Sequence, residues 1–376
     1  MNIVKDEQIT TPISPAPEVT MTNTAIAEYL SQQFGLDQET ATMKPIGSGH
    51  INTTMLLTDE QHSVVVQKLN TDVFPNPEHL VANARAIEQH LTQKAESNAY
   101  DLKIIKHLPT TSGSFLVKIN GEVWRALEFI GKSYSEDVVS CPEKAQTAAN
   151  AFGQFAQALS DFDAQVLHHV IPDFHNLAMR IAAFNDKLEA DSQNRAEKCQ
   201  EEIAFCQAQF GLADELESIY GSIPLRPCHN DTKINNMLFC KETDGARSVI
   251  DLDTCMPGYW LFDFGDMVRT FCSPEEEDST DLDNVVVREE IFSALVKGYV
   301  APLENELTPE EKQSFLLGAK VMPFMIGMRF LTDYLDGDNY FATKHSEHNL
   351  QRARNQFNLY QDVVAKEALL EKLIHS

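Results

Sequence analysis

The chain lacks the cysteine pattern of a disulfide framework or a structural zinc site. Its seven cysteines, Cys141, Cys199, Cys206, Cys228, Cys240, Cys255 and Cys272, are odd in number, scattered and without a CxxC pair, so they read as reduced, mostly core thiols of a cytoplasmic protein. Positive charge is also scarce: 30 Lys and Arg stand against 56 Asp and Glu, a formal net charge of -26 spread along the whole chain. Without a cationic surplus there is little to release counterions from nucleic acid or to hold anionic lipid, and neither partner is expected. No stretch reads as the roughly 18 consecutive apolar residues of a membrane span. The N-terminus, MNIVKDEQITTPISPAPEVT, has early acidic residues and no apolar run, so it is read as neither a secretory nor a transit peptide. No internal repeat is evident, and nothing indicates an obligate protein partner. What is present is globular composition, 43% hydrophobic and 23% charged over 376 residues, enough for two domains or one large bilobal one.

Residues 1–20 carry Thr, Ser and three prolines and read as a mobile tail. In TNTAIAEYLSQQFGL, Ile26, Leu30 and Phe34 recur every four residues, one face of a helix that starts near Thr22 and closes at Gly35. MKPIGSGHINTTMLLTD and QHSVVVQKLN then read as two short strands, the first bent at Gly47 and Gly49. NPEHLVANARAIEQHLTQK is an amphipathic helix, and SGSFLVKINGEVWRALEFI contains a hairpin turning at Asn120-Gly121. Residues 21–130 thus form an expected N-terminal lobe, a small sheet with one strong helix across it. Residues 131–376 are expected to be a mostly helical C-terminal lobe, with Ala148, Phe152, Phe155 and Leu159 on one buried stripe and one or two helices within residues 191–220. An embedded hairpin spans about 237–251, and the acidic run SPEEEDSTDLDN reads as a solvated connection. The fold class is α+β.

The chemistry concentrates in His229-Asn230-Asp231-Thr232-Lys233-Ile234-Asn235-Asn236, followed fifteen residues after Asn236 by Asp251-Leu252-Asp253. If the apolar runs after Asn236 and before Asp251 pair through Asp244-Gly245, an amide oxygen and a carboxylate meet at the open end of the hairpin. That sparse set of oxygens suits Mg2+, which completes its shell with water and phosphate. Asp231 then hangs back toward a second substrate. The spacing follows protein-kinase logic: a catalytic-loop aspartate, an asparagine five residues on, and a second metal-binding aspartate after a hairpin. His229 is read as a support for the loop.

These motifs resemble the aminoglycoside phosphotransferase and choline kinase superfamily, small-molecule relatives of protein kinases. Within it the chain is similar to bacterial N-acetylhexosamine 1-kinases through an ordered set: GSGHINTTMLLT, LNTDVFP, PTTSG, KSYSEDV, HNDTKINNMLF, VIDLDTCMPGYWLFDFGDMVR and GMRFLTDYLDGDNYFATKHSEHNLQRAR, over about residues 25–360. The resemblance implies a protein-kinase-like bilobal fold, a small β-rich nucleotide-binding lobe and a helical catalytic and sugar-binding lobe. It also implies ATP, Mg2+ and phosphoryl transfer to the anomeric hydroxyl of N-acetylglucosamine or N-acetylgalactosamine, both small-molecule substrates. Carried over residue by residue, Asp231 becomes the base facing the sugar, Asn236 and Asp251 the metal ligands with Asp253 a further member of that set, and His50, Arg329 and Tyr340 the sugar contacts. Arg329 has an alternative in a salt bridge to Asp333, one turn along.

Gly47-Ser48-Gly49-His50 is not a P-loop, since no GK[ST] follows. The residue facing the ATP phosphates has two candidates, Gln67 and Lys68, which strand alternation puts on opposite faces. RALEFI, residues 125–130, is where kinase-like folds change lobes, so the backbone from Glu128 to Ile130 is expected to meet adenine. Asp263 and Asp266, in a stretch that looks like DFG, are read as anchors below the site. Kinases of choline, aminoglycosides or homoserine would share the phosphoryl machinery, and a non-catalytic kinase-like binding module is the alternative outside enzymology.

Overall fold

Thr22 opens the first helix, Asn23–Phe34, by accepting the N–H of Ala25 on its hydroxyl, and Gly35 at φ 75° ends it. The computed structural model describes residues 22–47 and 51–376, and the chain divides into two units. The first takes the residues up to Asp72 together with His107–Phe129. Its antiparallel sheet runs in spatial order Thr42–Pro45, Thr53–Thr58, Ser63–Leu69, Glu122–Glu128 and His107–Leu108, with Val117–Ile119 also paired to Glu122–Glu128. Thr42–Pro45 and Thr53–Thr58 pair antiparallel, so the one bent strand expected there is two strands in register, Thr42 opposite Thr58 and Pro45 opposite Met55. His50, with Ser48 and Gly49, lies outside the described residues. The Asn120-Gly121 turn is as read, both residues at positive φ, which joins two right-twisted strands without splaying them. One face of this sheet buries Leu57, Val64, Val66, Trp124 and Ala126 with Ile26 and Leu30 of the helix.

The opposite face holds a buried cation. Gln67 and Arg125 are cross-strand partners, and Arg125, only 1% exposed, donates from Nε (2.9 Å) and Nη2 (2.6 Å) to the Gln67 side-chain oxygen. Lys68, on the other face, pairs with Glu122 at 2.9 Å, both side chains more than a third exposed.

The second unit comprises Val73–Lys106 and Ile130–Ser376. The helix Pro77–Glu96, read from the sequence as crossing the N-terminal sheet, clusters here. Asn83 explains the attachment: its amide donates to the carbonyls of His168 (2.8 Å) and Cys255 (3.0 Å). The stripe of Ala148, Phe152, Phe155 and Leu159 is buried as read, on the helix Pro142–Ala158. Residues 191–220 give the helices Gln200–Ala208 and Gly211–Ile219, preceded by Leu177–Ala190, which the sequence pattern had not indicated. The acidic run is not simply solvated: Glu277 meets Arg269 at 2.5 Å, and Asp278 meets Lys344 at 2.7 Å and His348 at 3.1 Å.

The longest helix, Pro309–Asp336, begins with a capping box between Thr308 and Glu311. It contains an 18-residue window of mean hydropathy 1.4, long and apolar enough to cross a membrane, which the sequence reading had missed; 78% of that window is buried within the fold. It crosses the helix Trp260–Phe271 backbone to backbone. A Cβ on Gly265 would lie 2.2 Å from the Gly318 carbonyl oxygen, and one on Gly318 would lie 2.0 Å from that of Leu261. Only glycines allow that approach.

The embedded hairpin pairs Met237–Cys240 with Ala246–Val249, with Asp244 at positive φ in its turn. Ser133–Tyr134 adds a third strand against Met237–Cys240. Lys144 fastens the turn: its ammonium lies 2.7 Å from Asp244, 3.3 Å from Glu136 and 2.5 Å from the Tyr134 hydroxyl.

Candidate active site

The loop after the strand Arg226–Cys228 is held from beneath by Asp263, which is 3% exposed. Its carboxylate accepts the backbone N–H groups of His229 (3.0 Å) and Asn230 (2.7 Å), and its carbonyl accepts the Thr232 hydroxyl at 2.6 Å. Burial pushes the Asp263 carboxyl up, to about 7, against those two N–H bonds. Asn230 adopts positive φ and donates its side-chain amide to the carbonyl of Thr254 at 3.0 Å, while the Thr254 hydroxyl donates to that of His229 at 2.8 Å. The motif that looks like DFG therefore anchors the loop.

His229 supports the loop from inside. Nε2 lies 3.0 Å from the Ile250 carbonyl, and Nδ1 lies 3.3 Å from the N–H of Asp231. Those partners assign the tautomer, with the proton on Nε2 and the lone pair on Nδ1. Burial lowers its pKa and keeps it neutral, and the rings of Phe152 and Phe155 stand edge-on to it.

The Asp231 carboxylate is turned by two neighbours. Asn236 donates its amide N–H groups to the Asp231 carbonyl and to Oδ2, both at 2.8 Å, and Lys233 lies 3.0 Å from Oδ1. Burial opposes the charge of Asp231, but Lys233, through its charge and its hydrogen bond, outweighs it and holds the carboxyl below its ordinary range. Lys233 is correspondingly raised, chiefly by Asp231. Lys233 stood inside the sequence motif without an assigned role; the ion pair appears only when the loop folds back on itself.

At the open end of the hairpin, the Ile250 N–H donates to the Asn236 carbonyl at 2.8 Å, one residue from Asp251. Asp251 sits at φ 60° with its side chain exposed, whereas Asp253 is buried. With the Asn236 amide nitrogen committed to Asp231, its remaining ligand atom is Oδ1. Among the described residues no three His, Cys, Asp or Glu side chains converge as a metal cage. An exposed carboxylate with one amide oxygen instead matches the donor set that Mg2+ uses when phosphate and water supply the rest.

Behind the loop, Arg269 joins Asp266 (2.8 Å) to Glu277 (2.5 Å). Burial raises the Asp266 carboxyl while Arg269 offsets it. Further out, Arg329 projects from the last third of Pro309–Asp336. Its guanidinium carbon lies 5.3 Å from the ring centre of Phe174, 5.6 Å from that of Tyr340 and 5.5 Å from that of Phe341. Its polar neighbour is the Tyr340 hydroxyl, 3.5 Å from Nη2. The alternative salt bridge to Asp333 does not form, because Asp333 is engaged elsewhere. Its carboxylate accepts the N–H groups of Asn339 (2.9 Å), Tyr340 (2.8 Å) and Phe341 (2.9 Å) and the amide of Asn349 (2.8 Å). Asp333 thus fixes the loop that presents Tyr340 to Arg329.

The fold has relatives of known structure at low identity. A microcompartment-associated aminopropanol kinase matches with a TM-score of 0.61 at 15% identity, over 93% of this chain and 99% of that one. Spectinomycin phosphotransferase in complex with ADP and spectinomycin matches at 0.56 and 14%, over 93% and 99%. Choline kinase from Cryptosporidium parvum Iowa II matches at 0.52 and 15%, over 94% and 100%. These likenesses establish a kinase-like α+β fold. The model of the phosphotransferase enzyme family matches residues 42–286, a span that holds the loop of residues 229–236, the hairpin and Asp251, and the chain belongs to that family.

Proposed function

We propose that the protein transfers the terminal phosphoryl group of ATP to the anomeric hydroxyl of a free N-acetylhexosamine, giving the 1-phosphate and ADP. The observation that carries the acceptor half is Arg329: a guanidinium ringed by Phe174, Tyr340 and Phe341, with no carboxylate in ion-pair distance among the described residues. His175 lies close enough to both Arg329 and Asp231 for its ionisation to respond to each, which supports one acceptor site. A fixed fork of donors beside aromatic faces suits a neutral polyhydroxy ligand. A choline or amino-alcohol site calls for an acidic fringe or an open aromatic cage, and here the aromatic faces are already taken by a cation.

In this mechanism Asp231 accepts the proton of the acceptor hydroxyl as its oxygen attacks phosphorus and the bridging oxygen leaves with ADP. Asn236 and Lys233 set the direction of the carboxylate, and Asp263 and His229 hold the loop so that the attacking oxygen meets it in line. Asn236 and Asp251 would hold Mg2+, with Asp253 behind them; bound there, the metal neutralises phosphate charge in a strongly acidic protein. On the nucleotide side, the backbone from Glu128 to Ile130 is proposed to meet adenine. Gln67, oriented by Arg125, and Lys68 remain the candidates toward phosphate, and Arg329 with Tyr340 is proposed to contact the sugar.

An ATP-dependent acceptor screen with phosphorus NMR of the product tests the proposal. Coupling of the new phosphate to the anomeric proton supports it. A 6-phosphate, or turnover confined to choline or another amino alcohol, overturns the acceptor assignment.

A further inference from the structure

The segment before Leu177–Ala190 gathers chemistry that the motifs do not contain. Asp173 turns the chain at φ 52°, and Asn176 caps the helix by accepting the Met179 N–H at 3.1 Å. From the first turn Arg180 reaches back and donates from Nε (3.3 Å) and Nη2 (3.1 Å) to the Phe174 carbonyl. The ring of that same Phe174 lies 5.3 Å from the Arg329 guanidinium carbon and stacks on His175 with centroids 4.5 Å apart, and His175 packs against Phe262 at 4.8 Å.

One aromatic residue therefore joins two guanidiniums and an imidazole. Neither Arg180 nor Arg329 forms an ion pair among the described residues; Asp173 is near enough to be felt by Arg180 but does not pair with it. Burial and then the charge of Arg329 depress Arg180 to about 10, so both remain cations at neutral pH. Burial, followed by the charges of Arg329 and Arg180, depresses His175 to about 3, which keeps the imidazole neutral. In a chain of net charge -26, two arginines without an ion pair among the described residues, both acting on a His175 that also feels Asp231, are a local reversal of sign.

We propose that Arg180, with His175 beside it, is a specificity-determining part of the acceptor subsite, where the two guanidiniums admit neutral or anionic oxygen groups and reject an acceptor that carries an ammonium. The inference rests on the hexosamine reading above and adds charge to it. Like charges that must be brought together without a shielding partner discriminate through repulsion, which contacts to the favoured ligand alone do not supply.

Three hexoses differing at C2 test it: glucose, N-acetylglucosamine, and glucosamine below the pKa of its amine. The wild-type kcat/KM for glucose should exceed that for glucosamine by at least about tenfold, with the N-acetyl sugar best of the three. Arg180→Gln should narrow the glucose-to-glucosamine ratio by roughly tenfold and leave the KM for ATP within about twofold, while Arg180→Lys, which keeps the charge, should preserve the ratio. A purely structural role through the Phe174 carbonyl would raise the KM of all three sugars together and leave the ratio unchanged, overturning the inference while the proposed function stands. Equal wild-type use of glucose and glucosamine overturns it whatever the variants do, including the case in which Arg180→Gln fails to fold. Turnover confined to amino alcohols overturns the inference and the proposed function together.

Discussion

Asp263→Asn separates the support of the catalytic loop from its chemistry. The native carboxylate receives two backbone N–H groups, from His229 at 3.0 Å and Asn230 at 2.7 Å. An asparagine keeps one acceptor and turns an NH2 toward the other N–H, so one bond to a charged group is lost, at about 1.5–3 kcal/mol, and one buried donor loses its partner. Removing the buried charge offsets part of this, since burial already raises the carboxyl to about 7. The net loss of stability should be on the order of 1–3 kcal/mol, with kcat down roughly ten- to a hundredfold because Asp231 loses its alignment while ATP affinity is kept. The pH dependence provides a second readout. A carboxyl raised from 3.8 to about 7 on folding retains a proton in the native state that the unfolded chain has released. Its contribution to stability is complete below about pH 4 and declines as pH rises toward 7, by up to about 1.4 kcal/mol per pH unit. Denaturant midpoints across that interval should show a flatter profile for Asp263→Asn. Wild-type kcat together with an unchanged profile would refute the reasoning.

Asp231→Asn should cut turnover about 10²- to 10⁴-fold and spare nucleotide binding; a variant that keeps more than about a tenth of wild-type turnover at saturating acceptor contradicts the role of base. Asp251→Ala and Asn236→Ala should each raise the Mg2+ concentration needed for half-maximal rate, Asp251 more so because it supplies charge as well as an oxygen, and unaltered titrations in both would count against the hairpin end as the metal site. Gly265→Ala drives a methyl to 2.2 Å from the Gly318 carbonyl oxygen and should lower stability by about 2 kcal/mol or more in thermal unfolding, whereas an unshifted midpoint would mean that the helix crossing is slack.

The candidate loop, the hairpin and the buried stripe were legible because their signal is local. Asn236 and Asp251 face one end of a short hairpin, Asn120-Gly121 specifies a tight turn, and Phe152 and Phe155 repeat at helical spacing. The residues that escaped depend on pairings across long stretches of chain. Arg180 and Phe174 gain meaning only beside Arg329, about 150 positions away. Glu277 and Asp278 look like part of a solvated acidic run until Arg269, Lys344 and His348 arrive. Lys68 drew notice as the lysine of its strand, while the buried cation on the Gln67 face is Arg125, from the neighbouring strand. Asp333 was read by helical spacing as a partner for Arg329, but its carboxylate is captured by the N–H groups of the loop beyond Gly337.

The long helix Pro309–Asp336 has a division of labour along its length. Near its middle, Gly318 locks against the helix that carries Asp263, while Arg329, Asp333 and the loop to Phe341 occupy its far end. On the proposed function, a lineage could therefore exchange the final two turns and that loop for others, and so change which molecule is phosphorylated, without disturbing Asp231. A kinase-like scaffold built this way would gain variety cheaply, by retooling the far end of one beam whose other part stays clamped.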